Sequence, residues 1–258
     1  MKFVVIIILS VLFLSPLTAQ DSITVNAEKI FINNNGNIYT VKGSRIAEID
    51  RNGIELMSFT LNPPEVIDYY DASNPLEIVL YNSSSNRVCI LDSKLSPISN
   101  AVLNISGTDV SIVCSSSMGG LWYFDINSRK ISHLEKAGKV IIDSQPLYGI
   151  PSYKNDLPEL MIETRNYLLL SFSESGLMLF DRSAKYIKTI QYEGSKVSGL
   201  SWDYAVFRNG RNIILYDFEK AEKTDFEIGK DFFQSYISGD ELIIFDGKNI
   251  FFKKLIRK

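Results

Sequence analysis

The stretch Asn37-Ile38-Tyr39-Thr40-Val41-Lys42-Gly43-Ser44-Arg45-Ile46-Ala47-Glu48-Ile49-Asp50-Arg51-Asn52-Gly53-Ile54-Glu55-Leu56-Met57-Ser58-Phe59 decides the fold. Three runs rich in β-branched and aromatic residues are separated by Lys-Gly and Asn-Gly turns, the pattern of a three-strand antiparallel meander. The same plan recurs downstream. Glu77–Tyr81 leads to Arg87–Asp92 and a strand near Pro97–Leu103, and Leu121–Phe124 leads to Lys130–Glu135 and Lys139–Asp143. Tyr167–Phe172 leads to Leu177–Asp181 and Tyr186–Tyr192, and Tyr204–Phe207 leads to Asn212–Asp217 and Lys223–Ile228. Each meander is preceded by one more apolar run: Lys29–Ile32, Val66–Tyr70, Val110–Cys114, Glu159–Glu163, Val197–Trp202 and Phe232–Ile237. Helical signals are nearly absent. Tyr216–Lys223 holds the best of them and reads more simply as a charged hairpin tip.

An acidic residue closes the third strand of each unit at Asp50, Asp92, Glu135, Asp181 and Asp217, with Lys254 in the last place, so the spacings are 42, 43, 46, 36 and 37 residues. A period near forty with four strands per unit is the signature of β-propeller blades. The expected fold is all-β: six four-stranded blades, with five or seven as alternatives and an unrelated β-sandwich as the competing architecture. The sixth unit, Phe232–Ile256, stops one strand short, and Ser22–Asn26 has no other partner. The N-terminal strand is therefore expected to complete the last blade and close the ring.

Residues ahead of that strand read as an address. Lys2 precedes the apolar run Phe3–Leu14, and Ser15-Pro16-Leu17-Thr18-Ala19-Gln20 follows. This is the plan of a secretory signal peptide over 1–20, cleaved after Ala19 or Gln20. The apolar run is shorter than the ~20 residues a membrane helix needs. Residues 21–258 are expected to form a single propeller domain with no membrane segment, exported to the periplasm or to the outer face of the outer membrane. No Cys lies near the cut, so a lipid anchor is not expected.

Composition narrows function. Thirty acids against 27 bases give a net charge of −3, which disfavours a nucleic-acid-coating role. One His and two Cys leave little for a zinc site, a cysteine cluster or a haem, and no cofactor or metal set is expected. Cys89 and Cys114 fall in strand-like runs and read as buried thiols rather than a disulfide. His133, between Ser132 and Leu134, lacks any nucleophile motif nearby and reads as structural or solvent-facing. Glu65, Asp68, Asp71, Asp109, Asp143, Asp156, Glu159 and Asp231 lie near loops, but a forty-residue period places acids at equivalent positions by itself. The repeated Asp50, Asp92, Asp181 and Asp217 read as turn residues that accept backbone N–H bonds. Trp122 and Trp202 are placed on strands, where packing between blades accounts for them. No catalytic residue is assigned.

Two stretches are candidates for binding. Tyr69-Tyr70-Asp71 ends an innermost strand near the channel. The longest connection, Ser144–Pro158, carries Tyr148, Tyr153 and Asp156 together with three prolines and more apolar residues than a loop needs; it reads equally as a partner-contact loop or as a cover over the seam between blades three and four. The C-terminal cations Lys248, Lys253, Lys254, Arg257 and Lys258 read as solvated protection of an edge.

Asn35-Gly36-Asn37-Ile38-Tyr39, followed by Ile49-Asp50-Arg51-Asn52-Gly53, resembles the blades of NHL/WD40-like six-bladed propellers. Ser73–Ile78, and Val113–Ser117 through Gly120–Asp125, resemble a family of short secreted propellers from Gram-negative bacteria. The resemblance spans most of the chain after residue 20. It implies the fold and export, and it supplies no catalytic residues. The expectation is a secreted non-enzymatic module that binds or scaffolds an envelope protein. The alternative is a calcium-assisted hydrolase or lyase acting on a carbohydrate or ester in the central channel.

Overall fold

The computed structural model describes residues 22–74, 76–102, 108–136 and 138–255. The expected signal peptide lies outside them, as do Arg257 and Lys258. Twenty-four strands form six four-stranded antiparallel sheets among the described residues. Blade one comprises β2 (Lys29–Ile32), β3 (Ile38–Lys42), β4 (Arg45–Ile49) and β5 (Glu55–Thr60). Blade two comprises β6 (Tyr69–Asp71), β7 (Ile78–Asn82), β8 (Arg87–Leu91) and β9 (Pro97–Val102). Blade three is β10 (Val110–Ser115), β11 (Leu121–Asp125), β12 (Lys130–Leu134) and β13 (Val140–Asp143). Blade four is β14 (Pro158–Glu163), β15 (Leu168–Phe172), β16 (Gly176–Phe180) and β17 (Tyr186–Ile190). Blade five is β18 (Lys196–Leu200), β19 (Tyr204–Asn209), β20 (Asn212–Asp217) and β21 (Glu222–Glu227).

Blade six holds β22 (Gln234–Ser238), β23 (Glu241–Phe245) and β24 (Asn249–Lys254), and its outer strand is β1 (Ser22–Thr24). β1 runs antiparallel to β24 with Ser22 opposite Phe251, Ile23 opposite Ile250 and Thr24 opposite Asn249. Thr24 donates to the Asn249 side chain at 2.8 Å, and the Val25 amide donates to the Lys248 carbonyl at 2.9 Å. The expected closure of the ring by the N-terminal strand is present.

Burial follows position within the blade. Every residue of β7, β11 and β15 is buried, because second strands are covered by blades on both sides, and their sequences are accordingly apolar runs rather than alternations. The outermost strands face water, and β21 is almost wholly exposed. Fully burying one Leu, Ile or Phe contributes ~1.5–3 kcal/mol, so the seams between blades carry most of the stability.

The acid ruler has a local cause. Asp50 Oδ1 accepts the Asn52 and Ile54 amides, both at 2.8 Å. Asp92 does the same for Lys94 and Ser96, Asp181 for Ser183 and Lys185, and Asp217 for Glu219 and Lys220. These carboxylates hold the turn between third and fourth strands, as expected. The stretch 218–221 is the expected hairpin tip between β20 and β21.

Trp122 lies on β11 and is fully buried. Trp202 departs from expectation, because β18 ends at Leu200 where the Ser201 amide turns back to the Tyr204 carbonyl. Trp202 therefore sits in a turn, half-buried, with the Arg165 guanidinium 5.6 Å from its ring. Cys89 and Cys114 are separate buried thiols in different core clusters.

One core position works against stability. Glu48 on β4 is 7% exposed, and its Oε2 meets no hydrogen-bond partner among the described residues. The hydroxyl of Tyr39, its cross-strand neighbour, is also shielded from water without a well-formed hydrogen bond, though it lies near enough to oppose the carboxyl's upward shift. Burial raises the Glu48 carboxyl above its ordinary 4.5. The folded state then keeps that proton to higher pH than the unfolded chain does. The associated stability is present below the unfolded value and is lost as pH rises through the folded one. Glu48→Gln is expected to raise the neutral-pH Tm by a few degrees, since an unsatisfied buried polar group costs ~1–3 kcal/mol. The gain should shrink as the pH of the melt falls below ~4. A variant that melts like the parent at neutral pH would show that water satisfies the carboxylate.

Candidate functional site

Antiparallel alternation gives the ring two unlike faces. The turns between first and second and between third and fourth strands share one, the turn face. Blade-to-blade connections and the turns between second and third strands share the other, the crossover face.

Tyr69, Tyr70 and Asp71 lie in the channel, on the innermost strand of blade two. The Tyr69 hydroxyl reaches across to β14, donating to the Met161 carbonyl at 2.5 Å and accepting the Met161 amide at 2.7 Å. The Tyr70 hydroxyl donates to the Ile30 carbonyl at 2.7 Å and accepts from Gln234 at 2.9 Å, while Tyr236 donates to the same Ile30 carbonyl at 2.9 Å. Gln234 Oε1 accepts the Ile30 amide at 2.8 Å. Three tyrosines and one glutamine therefore lace blades one, two, four and six together across the channel. Burial drives the Tyr69 and Tyr236 phenols well above their ordinary range and holds Tyr70 at about 12. All three stay neutral hydrogen-bonding groups at physiological pH.

Asp71 is 2% exposed and points into the seam with blade three, where it accepts the Ser115 amide at 2.8 Å and the Ser115 hydroxyl at 3.0 Å, besides the Ser73 amide. Its carboxyl is raised by burial, and these bonds oppose the rise. Glu163 does the corresponding work one seam further on. It accepts from Ser117 N at 2.9 Å, Ser117 Oγ at 2.5 Å and Trp122 Nε1 at 2.9 Å. Sequence reasoning did not single out Glu163, although it ends the innermost strand of blade four as Asp71 ends that of blade two.

At the turn face these groups leave a cavity of about 50 Å3, walled by Phe31, Ile162 and Leu200, by Tyr69 and Tyr70, and by the polar Asn34, Asp71 and Ser201. That is room for a water or two. Hollows of about 340 and 180 Å3 lie instead along blade five's outer strands and the Phe226–Lys253 region. No group of three or more His, Cys, Asp or Glu side chains among the described residues could hold a metal ion.

His133, the chain's single histidine, is 1% exposed on β12 and lies 4.8 Å from the Trp122 ring. Its Nε2 is 3.0 Å from the Gly119 carbonyl. This fixes the Nε2–H tautomer, and Nδ1 has no partner among the described residues. Burial lowers its pKa.

Tyr148, Tyr153 and Asp156 stand on the crossover face, at the opposite end of the ring from the Asp71 carboxylate. Sequence reasoning left that relation unaddressed. The 144–157 connection is tied down at several points. The Ser144 amide donates to the Ile131 carbonyl and the Leu147 amide to the Arg129 carbonyl. Leu147, in a short 3-10 turn, is 0% exposed and sits between blades three and four. Asp156 accepts the Glu174 amide at 2.7 Å and both the amide and hydroxyl of Ser175, so its carboxylate caps the neighbouring turn. The Tyr153 ring packs edge-on against Phe172 at 5.7 Å and Tyr148 at 6.1 Å, and its hydroxyl donates to the Asp156 carbonyl. Tyr148 itself remains 61% exposed. The loop is packed by its own side chains over the seam between blades three and four, and it presents one aromatic ring to solvent.

No family model and no curated protein matches the chain. Solved structures do. A candidate exported protein from Bacteroides fragilis superposes with a TM-score of 0.61 at 9% identity, over 93% of each chain. A catalytically inactive His-to-Ala variant of virginiamycin B lyase from Staphylococcus aureus, with quinupristin, gives 0.58 at 17% identity over 89% of this chain and 80% of that one. BBS1N in complex with ARL6DN gives 0.57 at 12% identity, over 90% and 78%. This is the NHL/WD40-like six-bladed propeller fold. At these identities the likeness is one of fold alone. No helix among the described residues is long and apolar enough to cross a membrane.

Proposed function

We propose that the chain is a secreted, non-enzymatic propeller that holds a protein partner in the cell envelope, with the 144–157 loop as its contact. Tyr148 carries this reading. It is an aromatic ring held exposed on a loop whose backbone is pinned by Leu147, Asp156 and Ser144, so little conformational entropy is lost when it docks. Tyr153 supports the ring from below, and Asp156 stiffens the far end. Tyr69 and Tyr70 enter as ties across the channel and Asp71 as a tie between blades two and three, and together they hold the ring rigid. BBS1N, a neighbour in fold, is described in complex with another protein.

The alternative, lyase chemistry in the channel, is prompted by the virginiamycin B lyase neighbour, whose His-to-Ala variant is catalytically inactive. Against it stand a channel-mouth cavity of only about 50 Å3 and a lone imidazole sealed beneath Trp122. The test is affinity purification from envelope fractions with the wild-type chain and with Tyr148→Ala. A reproducible partner should be recovered, and its affinity should fall about tenfold or more in the variant while the melt is unchanged. Equal recovery by both proteins would remove the loop from the argument. Conversion of quinupristin by the purified chain, abolished in His133→Ala, would establish the alternative instead.

A further inference from the structure

The chain's single imidazole sits where it cannot be charged without cost. His133 stands opposite Trp122 on β11 and Ile142 on β13, and the 116–120 turn closes over it through the Gly119 carbonyl, 3.0 Å from Nε2. Nδ1 is shielded from solvent and meets no hydrogen-bond partner among the described residues. A neutral ring suits this site, with Nε2–H as its one donor. An imidazolium has two, and the second would be buried without an acceptor.

The charged groups around the ring leave that balance standing. Glu163 faces it from β14, but its oxygens already accept from Ser117 and Trp122, and the Arg182 guanidinium stands 3.7 Å away. Glu135 follows β12 itself. Lys136 lies along Gly119 and carries its ammonium to Glu77 at 3.1 Å. Both Glu163 and Glu135 favour a charged ring, yet burial outweighs them and holds the imidazole below its ordinary 6.5.

The turn over the ring is able to yield. Gly119 and Gly120 are both left-handed (φ 82°), a pair with more backbone freedom than any other residues would have. Few bonds hold it shut: the Gly119 amide on the Ser116 carbonyl at 2.9 Å, the Ser116 amide on the Gly120 carbonyl at 3.2 Å, and the Ser117 bonds to Glu163. We propose that His133 and the 116–120 turn form an acid-sensitive latch on the seam between blades three and four. A proton taken from solvent by Nδ1 does not fit beneath the closed turn, so acid opens it and releases the Ser117 and Trp122 bonds to Glu163. The latch does not depend on the partner-binding reading.

Proton linkage sets the sign and the size. The closed state binds the proton more weakly than the open one. The latch is therefore fully held above ~6.5, and its opening equilibrium grows by up to about tenfold per pH unit as pH falls below that value toward the closed-state one.

The test follows amide exchange and the imidazole signals of the full chain from pH ~8 to ~5. With one histidine present, the ring signals need no assignment. Protection of the Ser117 and Gly119 amides, corrected for the intrinsic pH dependence of exchange, should fall about tenfold per pH unit below ~6.5. It should stay level at Gly36, whose amide closes the corresponding turn of blade one on the Asn33 carbonyl. The ring should remain neutral through ~6.5 and titrate below it. In His133→Gln, whose carboxamide donates to Gly119 but takes no proton, the fall should disappear. A ring that titrates at ~6.5 with protection unchanged would show that the charged form fits, and it overturns the latch. So does an equal fall at Gly36, which is global unfolding, or an undiminished fall in His133→Gln, which assigns the effect to Glu163. Should that variant fail to fold, the wild-type chain decides: loss of protection that sets in without a depressed ring titration overturns the latch.

Discussion

Gly199→Ala is expected to cost the protein ~3 kcal/mol, the upper end of what overpacking a core costs, a fall in Tm of roughly 10 °C for a chain of this size. Gly199 lies on β18, where the innermost strand of blade five meets that of blade six. A methyl group there would stand 1.6 Å from the Ser235 carbonyl oxygen and 2.8 Å from its carbon. Both are backbone atoms of a paired strand, so no side chain can rotate aside. The strands must part, and with them the Ser198–Ser235 hydroxyl contact at 2.6 Å. Gly149→Ala is the control, since its methyl would meet nothing within 4 Å and should leave the melt unchanged. If Gly199→Ala melts within two or so degrees of the parent, blades five and six have slack that their close approach denies.

Ile23→Asp should be nearly as damaging, for a different reason. Ile23 is 3% exposed and belongs to the core that joins blades six, one and two. A carboxylate in that place is either protonated at a cost or expelled together with β1. The loss should be ~3–4 kcal/mol, in the range of large core disruptions. Hydrogen exchange would locate the damage, because the β24 amides facing β1 should lose protection before the other blades. Thr24→Ala removes only a surface hydrogen bond to Asn249 and should fall within ~0.5 kcal/mol of the parent. Retained protection of β24 in Ile23→Asp would mean that β1 is not what closes the ring.

The blade count was readable in the sequence because its cause is local. Asp50, Asp92, Asp181 and Asp217 each hold a turn through amides two to four residues on, so their spacing survives as a ruler however the blades pack. The missing strand of blade six was readable for the same reason. Local reasoning stops at contacts between blades. Asp71 reads as a channel acid until Ser115, 44 residues away, is seen to occupy it. Trp202 reads as a strand residue until Ser201 is seen to turn the chain. Two signals were nonetheless present. A glycine inside the strand-like run Val197–Trp202 marks a close backbone approach, and the blade register places Glu163 where Asp71 stands.

Pairing β1 with β24 also sets where the molecule can be held. The described residues begin in β1 and end just beyond β24, the outer two strands of one blade, and in a ring of six that blade lies across from blade three, where the 144–157 loop starts. A surface or fluorophore attached at either end would leave the aromatic loop pointing into open solution. Joining the ends and cutting a different blade-to-blade connection should yield a circular permutant that retains all six sheets.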